Sequence, residues 1–467
     1  MPSTAGSTSV GRLLDAIADV GRAPSGGYER FAWTPHDLAL REWFAAEAAA
    51  RGLSVVVDRA GNQWAWWGDP DADGPGVVTG SHLDSVPGGG AFDGPLGAAS
   101  AFAALDALRA DGVRPVRPLG IVNFSDEEGA RFGLACLGSR AVTGTVGADR
   151  LLALRDGAGD SLADVLGRVG GRVEHYGRDD EALARVGVFV ELHVEQGRYL
   201  ADLPSDEAAP VAVGAAIWPH GRWRVDLAGE ANHAGTTPLA HRHDPMLDLA
   251  RLITDVRAAA EQAGALATLA KVQVEPNGVN AIPSRVRAWI DARAETEDAV
   301  RAVLGPPMPA VSRERPSASP PAPPSAAGVQ AAGESRGGLA RWQPVEESWT
   351  PATVFDPVLA GRLADVVGRP GSDRPAPVIG TGAGHDAGIF AAAGVPTAML
   401  FVRNPTGISH SPAEFAEESD CDAGVRALTA VLADLLTGAG NDNGVMHGSG
   451  AETVHNPVLD GAERGRP

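Results

Sequence analysis

Cysteine is almost missing from this sequence: only Cys136 and Cys421 occur in 467 residues, and they stand far apart. A disulfide scaffold and a multi-thiolate metal site are thereby excluded, and a reducing compartment fits. No run of about 18 apolar residues is present, which excludes a spanning helix. The opening "MPSTAGSTSVGRLLDAIADVGR" has no basic region ahead of an apolar core, so no export signal is expected and the expected location is the cytoplasm. Positive charge is scarce as well. There are 39 Lys and Arg against 59 Asp and Glu, a formal net charge of −20, so nucleic-acid phosphate or an anionic membrane would be repelled as the main partner. The glycine-rich stretches "PGGGAF" and "GTGAGHDAG" lack both the Lys-Ser/Thr of a phosphate loop and the full dinucleotide fingerprint. No Ser or Cys has the context of a nucleophile elbow.

What is present reads as a folded α/β chain. Hydrophobic residues make up 44% and charged residues 21%, ordinary globular values, while 59 Gly and 35 Pro indicate many loops. From Gly76 onward, short strand-like runs alternate with helix-like ones: "GVVTGSHL", "PLGAASAFAALDALRA", "PLGIVNF" and "VGVFVEL". The same texture returns near the C-terminus in "APVIGTG", "HDAGIFAAAG" and "PTAMLFV". Between these stretches, "RWRVDLAGE", "DPMLDLARLITDVRAAAEQAG", "LATLAKVQVEP" and "RVRAWIDARAE" read as strand, helix, strand, strand, an α+β unit inserted in the α/β domain. The expected division is a first catalytic part over 1–210, an insert over 211–350, a second catalytic part over 351–436 and a tail over 437–467. Residues 305–338 are too rich in Pro, Ser, Ala and Gly to pack and are expected to be a disordered loop, as is the tail.

The polar candidates stand where strands would end, which is where open α/β sheets place their sites. In "GSHLDSVPGGGAFDGPLG", His82 ends an apolar run, Asp84 follows, and Asp93 precedes a helix opened by Gly94 and Pro95. On its own "HLD" reads as a capped turn. "FSDEEG" sets Asp126, Glu127 and Glu128 in a row, and adjacent carboxylates repel unless a cation compensates them. A divalent ion would hold one acid ionised as a ligand and leave its neighbour free to act as a base. The alternative is a solvated acidic turn. "VELHVEQG" puts Glu191, His193 and Glu195 on one strand face, and "GISHSPAEF" sets His410 before a Ser-Pro turn. Together His82, Asp93, Glu128, His193 and His410 supply imidazole nitrogen and carboxylate oxygen without thiolate, an inventory that suits a two-metal hydrolytic site.

The ordered set "SHLDSV", "FDGPLG", "DEEGARFG", "ELHVEQG", "ANHAGTTP", "PNGVNAIP", "TGAGHDA" and "SHSPAE" resembles the M20 metallopeptidase superfamily, in its hydantoinase/carbamoylase branch. That resemblance covers roughly residues 10 to 436. It implies that His82, Asp93 and His193 hold one metal, that Asp93, Glu128 and His410 hold the other, and that Asp93 bridges. By the same resemblance Glu127 is the general acid/base and Asp84 supports His82. Gln196, His233, Asn280, Arg293, Gly384 and His385 match positions that contact substrate, and the insert matches a lid and dimerisation domain, so that His233 would serve the site of a second subunit. Two zinc, manganese or cobalt ions per subunit and a homodimer are implied. Arg293 offers a planar fork suited to a substrate carboxylate, although nothing else in the sequence separates it from Arg285 and Arg287. His233 and His385 could donate to a developing oxyanion while Gln196 and Asn280 orient a ureido group.

The expected activity is therefore hydrolysis of a ureido or carbamoyl C–N bond in a small acid. Allantoate is the first expectation, with release of ammonia and carbon dioxide, and an N-carbamoyl-L-amino acid the second. A dipeptidase or aminoacylase, and a metal-bound but inactive scaffold, are the remaining alternatives. Within the insert, the second helix is cut short at "TEDAVRAVLGPP", and "AAIWPHGRWRV" is an unusual lead-in whose His220 has no evident role.

Overall fold

The computed structural model describes residues 10–304, 339 and 342–438. The Pro-rich stretch 305–338 and nearly all of the tail fall outside the described residues. Four strands form the middle of the larger sheet: Leu119–Phe124, Gly76–His82, Val186–Val194 and Thr397–Val402, each parallel to its neighbours. Every residue of Gly76–His82, Leu119–Phe124 and Thr397–Val402 is buried. Strands covered on both faces by helices need apolar residues at every position, which is why they read as unbroken runs rather than as alternating ones. Antiparallel strands finish the sheet on both sides. Gln63–Trp67 and Ser54–Val57 follow Leu119–Phe124, while Val211–Ile217 follows Thr397–Val402 and pairs in turn with Thr353–Val354 and Val378–Thr381.

Successive residues of one strand go to opposite cores. Val77 packs with the helices Pro95–Ala110 and Glu418–Thr437, whereas Val78 packs with Phe124, Phe189 and Phe390 beneath the helices Leu137–Thr143 and Asp386–Ala392. The three tryptophans of "WAWWGD" belong to this packing. Trp64 and Trp66 lie side by side with rings 6.5 Å apart and nearly parallel, and Trp67 turns to the other face beside Arg109.

Residues 220–350 contain a separate antiparallel sheet with the order Val345–Thr350, His220–Ala228, Arg285–Arg293, Leu266–Glu275. In its two central strands, His220–Ala228 and Arg285–Arg293, burial alternates, as one covered face requires. Leu249, Leu252 and Val256 of the helix Pro245–Ala263 and Val300 and Val303 of Glu297–Leu304 close a core of their own against Val225, Val286, Ala288 and Ile290. The short second helix is thus present with its apolar stripe intact. The boundary expected at residue 211 falls one strand later. Val211–Ile217 hydrogen-bonds into the larger sheet, and the chain changes sheet at Trp218 and Pro219, where proline has no N–H to extend the ladder.

Candidate metal centre

The carboxyl ends of the parallel strands, and the loops that follow them, bring five residues together. One ligand atom each from His82, Asp93 and His193 lie within 4.8 Å of one another, and the same holds for Asp93, Glu128 and His410. Asp93 is common to both groups. Its Oδ1 stands 3.1 Å from His193 Nε2 and 3.8 Å from His82 Nε2, and its Oδ2 stands 3.4 Å from His410 Nε2. Glu128 Oε2 is 3.6 Å from the same His410 nitrogen.

The imidazoles are oriented from behind. His82 Nδ1 donates to the Asp84 carbonyl oxygen at 3.2 Å, and His193 Nδ1 donates to the Val194 carbonyl oxygen at 2.9 Å. A nitrogen that donates to a carbonyl must carry the proton, so the Nε2 atoms are the ones turned to the cluster. His82 Nε2 is buried without a hydrogen-bond partner. A buried orphaned nitrogen facing the Asp93 and Glu127 carboxylates, in a set of imidazole and carboxylate donors, fits a divalent cation such as zinc or manganese.

Asp84 ties the acidic turn to His82. Its Oδ1 accepts from Glu127 N at 3.1 Å and its Oδ2 from Glu128 N at 3.0 Å, so a single carboxylate fixes two consecutive amides. Glu127 Oε2 lies 3.8 Å from His82 Nε2, and Oε1 accepts from the Cys136 thiol at 3.2 Å. Burial pushes the Glu127 carboxyl well above the ordinary range, against the pull of His82. Glu128 is lifted to about 7, by burial first and then by Asp93. Asp93 goes the other way: hydrogen bonds from His193 and His410 overcome its burial and hold it well below the usual carboxylate range. In His82, hydrogen bonding to Asp84 and the charge of Glu127 outweigh burial and raise the pKa well above 6.5.

The family model for Peptidase family M20/M25/M40 matches residues 78–434, the span that holds every one of these residues. The chain belongs to this family. The M20 chain is 33% identical over 431 residues to an N-carbamoyl-L-amino acid amidohydrolase of Geobacillus stearothermophilus, covering 91% of this chain and 98% of the relative. It is 30% identical over 435 residues to an allantoate amidohydrolase of Escherichia coli K12, covering 91% and 97%. Among solved structures, an amidase of the hydantoinase/carbamoylase family from Burkholderia vietnamiensis superposes with a TM-score of 0.74 at 27% identity, over 93% of this chain and 99% of that one.

Around the centre of this M20 chain, the expected contact residues divide into two groups. Gln196 Nε2 donates to Asp93 Oδ2 at 2.9 Å, and its Oε1 is buried without a partner. The His385 ring is 4.5 Å from that of His193, and its Nε2 is likewise buried and unpartnered. Burial, and then the nearby His193, hold the His385 pKa well below 6.5, so it is neutral. Arg293 reaches the adjoining loop, with Nη1 donating to Gly382 O at 2.8 Å and Nε to Asp291 at 2.9 Å, while Gly384 in the same loop is exposed. His233 and Asn280 are not brought to the cluster. Both are exposed and belong to a local pairing in which His233 stands opposite Ala281 and Ala234 N donates to Asn280 O.

Sequence reasoning missed several supports. Glu414 Oε1 accepts from Phe92 N and Asp93 N at 2.9 and 3.0 Å, fixing the turn that presents Asp93. Its signal was the last letter of "SHSPAE". Cys136, which reaches Glu127, had none. Beneath the histidines, Ser81 donates to Glu191 at 2.8 Å, Glu191 accepts from Ala387 N at 2.9 Å, and Ser139 donates to Asp386. Glu191 is therefore paired inside the protein rather than acting at the centre.

Proposed function

We propose that the protein hydrolyses the ureido or carbamoyl C–N bond of a small carboxylic acid, with allantoate and N-carbamoyl-L-amino acids as the candidate substrates. The observation that carries this reading is the sharing of Asp93 by two clusters of imidazole and carboxylate, with the Glu127 carboxyl beside them. His82, Asp93 and His193 would hold one divalent ion and Asp93, Glu128 and His410 a second, zinc, manganese or cobalt, and the pair would supply Lewis acidity toward a carbonyl and the attacking water.

The protein's own residues then divide the work. Glu127, adjacent to His82 and steadied by the Cys136 thiol, takes the proton of the water as its oxygen bonds to the ureido carbon. It returns that proton to the nitrogen as the C–N bond breaks, and the released carbamate yields ammonia and carbon dioxide. His385, neutral and with an unengaged Nε2, is placed to donate to the carbonyl oxygen as negative charge develops. Gln196, anchored on Asp93, presents its free Oε1 to the ureido N–H groups. Arg293 has Nε and Nη1 committed to Asp291 and Gly382, so its plane is fixed and its remaining N–H groups are offered to the substrate carboxylate.

The unit of residues 220–350 acts as a lid and as the surface of a homodimer. His233 contacts substrate in the site of the second subunit, which accounts for its place away from the cluster of its own chain. The buried, unpaired Cys136 and Cys421 fit a cytoplasmic protein. The deciding experiment compares turnover of allantoate, N-carbamoyl-L-amino acids, N-acyl-amino acids and dipeptides by the metal-loaded protein, alongside Glu127→Gln. Cleavage of ureido acids only, with Glu127→Gln slower by about 100-fold or more, is expected. Cleavage of dipeptides only, or undiminished turnover by Glu127→Gln, would overturn the assignment.

A further inference from the structure

The segment Trp218-Pro219-His220 carries the chain from one sheet to the other and takes no part in the metal centre. Trp218 N donates to Thr381 O at 2.7 Å, and His220 opens the next strand directly opposite Arg293. The indole is only partly buried. It lies against the end of the strand Val378–Thr381 and the loop that follows, and glycine is required in that strand: a Cβ on Gly380 would collide with the indole Nε1. A Cβ on Gly382 would stand 3.2 Å from the six-membered ring of Trp218 and 4.0 Å from Arg293 Cδ. The indole and the arginine stem therefore both border Gly382. The same loop accepts the Arg293 hydrogen bond at Gly382 and runs on through Gly384 to His385.

In a ureido acid the carboxylate and the variable substituent share one carbon. A carboxylate held by Arg293 brings that substituent within a bond or two of whatever stands beside the fork, and here that is the partly exposed indole. His220 adds no positive charge, because burial and then the Arg293 guanidinium lower its pKa. A hydrocarbon substituent gains contact against such a wall, whereas a second ureido group would lose water without recovering its hydrogen bonds.

We propose that Trp218 is a specificity-determining residue whose indole forms an apolar wall beside the Arg293 fork and selects ureido acids with an apolar α-substituent over those with a second ureido group. The proposal rests on the ureido-acid reading and on Arg293 as the carboxylate grip. It is tested by measuring kcat and KM for N-carbamoyl-L-leucine and allantoate with the metal-loaded full chain, Trp218→Ala and Trp218→Phe. The parent should prefer N-carbamoyl-L-leucine. Trp218→Ala should lower kcat/KM for that substrate by about tenfold or more, chiefly through KM, while allantoate changes by less than about threefold. Trp218→Phe, which keeps an aromatic face on the glycines, should retain most of the preference and decides the matter if the alanine variant does not fold. A parent that prefers allantoate, or variants that lose both substrates equally, would overturn the proposal alone. Turnover of neither ureido acid would overturn the functional reading and the proposal together.

Discussion

Asp126, Glu127 and Glu128 are neighbours in the chain, yet the backbone sends each to a different place. Asp126 adopts a left-handed conformation, φ 53°, and turns inward with neither carboxylate oxygen hydrogen-bonded. Glu127 meets Cys136 and His82, and Glu128 meets His410. The turn is held open for this by the next helix, since the amides of Cys136, Leu137 and Gly138 donate to the carbonyls of Glu127, Asp126 and Ser125. Burial also shapes Asp37, in the helix Pro35–Ala50, whose carboxylate accepts from Trp33 N at 2.7 Å. Burial lifts its pKa to about 6 against the opposing charge of Arg41. The folded protein then keeps this proton to higher pH than the unfolded chain, for which 3.8 applies. Stability contributed by this group is whole below 3.8, declines as pH rises to about 6, and is level above that, a loss on the order of 3 kcal/mol. Asp37→Asn removes the titration. In urea unfolding between pH 4 and 7, the variant should gain on the parent as pH rises to about 6 and then hold its advantage. A difference that does not change with pH would show that Asp37 does not titrate in this way.

At the scale of elements, the helix Pro95–Ala110 shows how tightly the centre is built into secondary structure. Its N-cap, Gly94, has φ +80°, and a Cβ there would overlap the His82 ring. The start of the helix, the Asp93 carboxylate and the His82 imidazole thus occupy one volume, and only glycine fits at the junction. Gly94→Ala should displace the ring, weaken metal affinity by about tenfold or more and reduce turnover in step. Metal titration followed by calorimetry reads the affinity directly, and parental affinity in a folded variant would refute the account. Much of this was legible beforehand, because parallel strands buried on both faces read as unbroken apolar runs and stop where His82, Asp126 and His193 begin. The insert's strand, helix, strand, strand order was equally legible from its alternation. Val211–Ile217 was not, since "VAVGAAI" is apolar in either context and its place is decided by pairing with Thr397–Val402, far away in the chain. Glu414 was hidden for the same reason: its bond to the Asp93 amide spans 321 residues.

For the whole molecule, the candidate metal centre is where separated parts of the chain are tied together. His82, Asp93, Glu128, His193 and His410 stand at the ends of four strands or in the loops after them, Gly76–His82, Leu119–Phe124, Val186–Val194 and Thr397–Val402, so their meeting depends on the assembled sheet. The charge balance makes that tie conditional. Asp84, Asp93 and Glu127 are buried with Glu128 half-buried beside them, and burial lifts the Glu127 and Glu128 carboxyls above their ordinary range. A divalent ion bound to the folded chain alone stabilises it by about 2.7 kcal/mol when its free concentration is 100 times the dissociation constant. For a chain of this size that corresponds to a melting temperature higher by roughly 3 °C. Removal by a chelator should lower the melting temperature accordingly, and return of zinc or manganese should restore it. The Asp93→Ala variant discriminates further, because loss of the shared carboxylate should abolish the metal-dependent increment. Equal melting temperatures for the loaded and stripped parent would mean that the acids are compensated by the protein alone, and the two-cluster reading of Asp93 would fall.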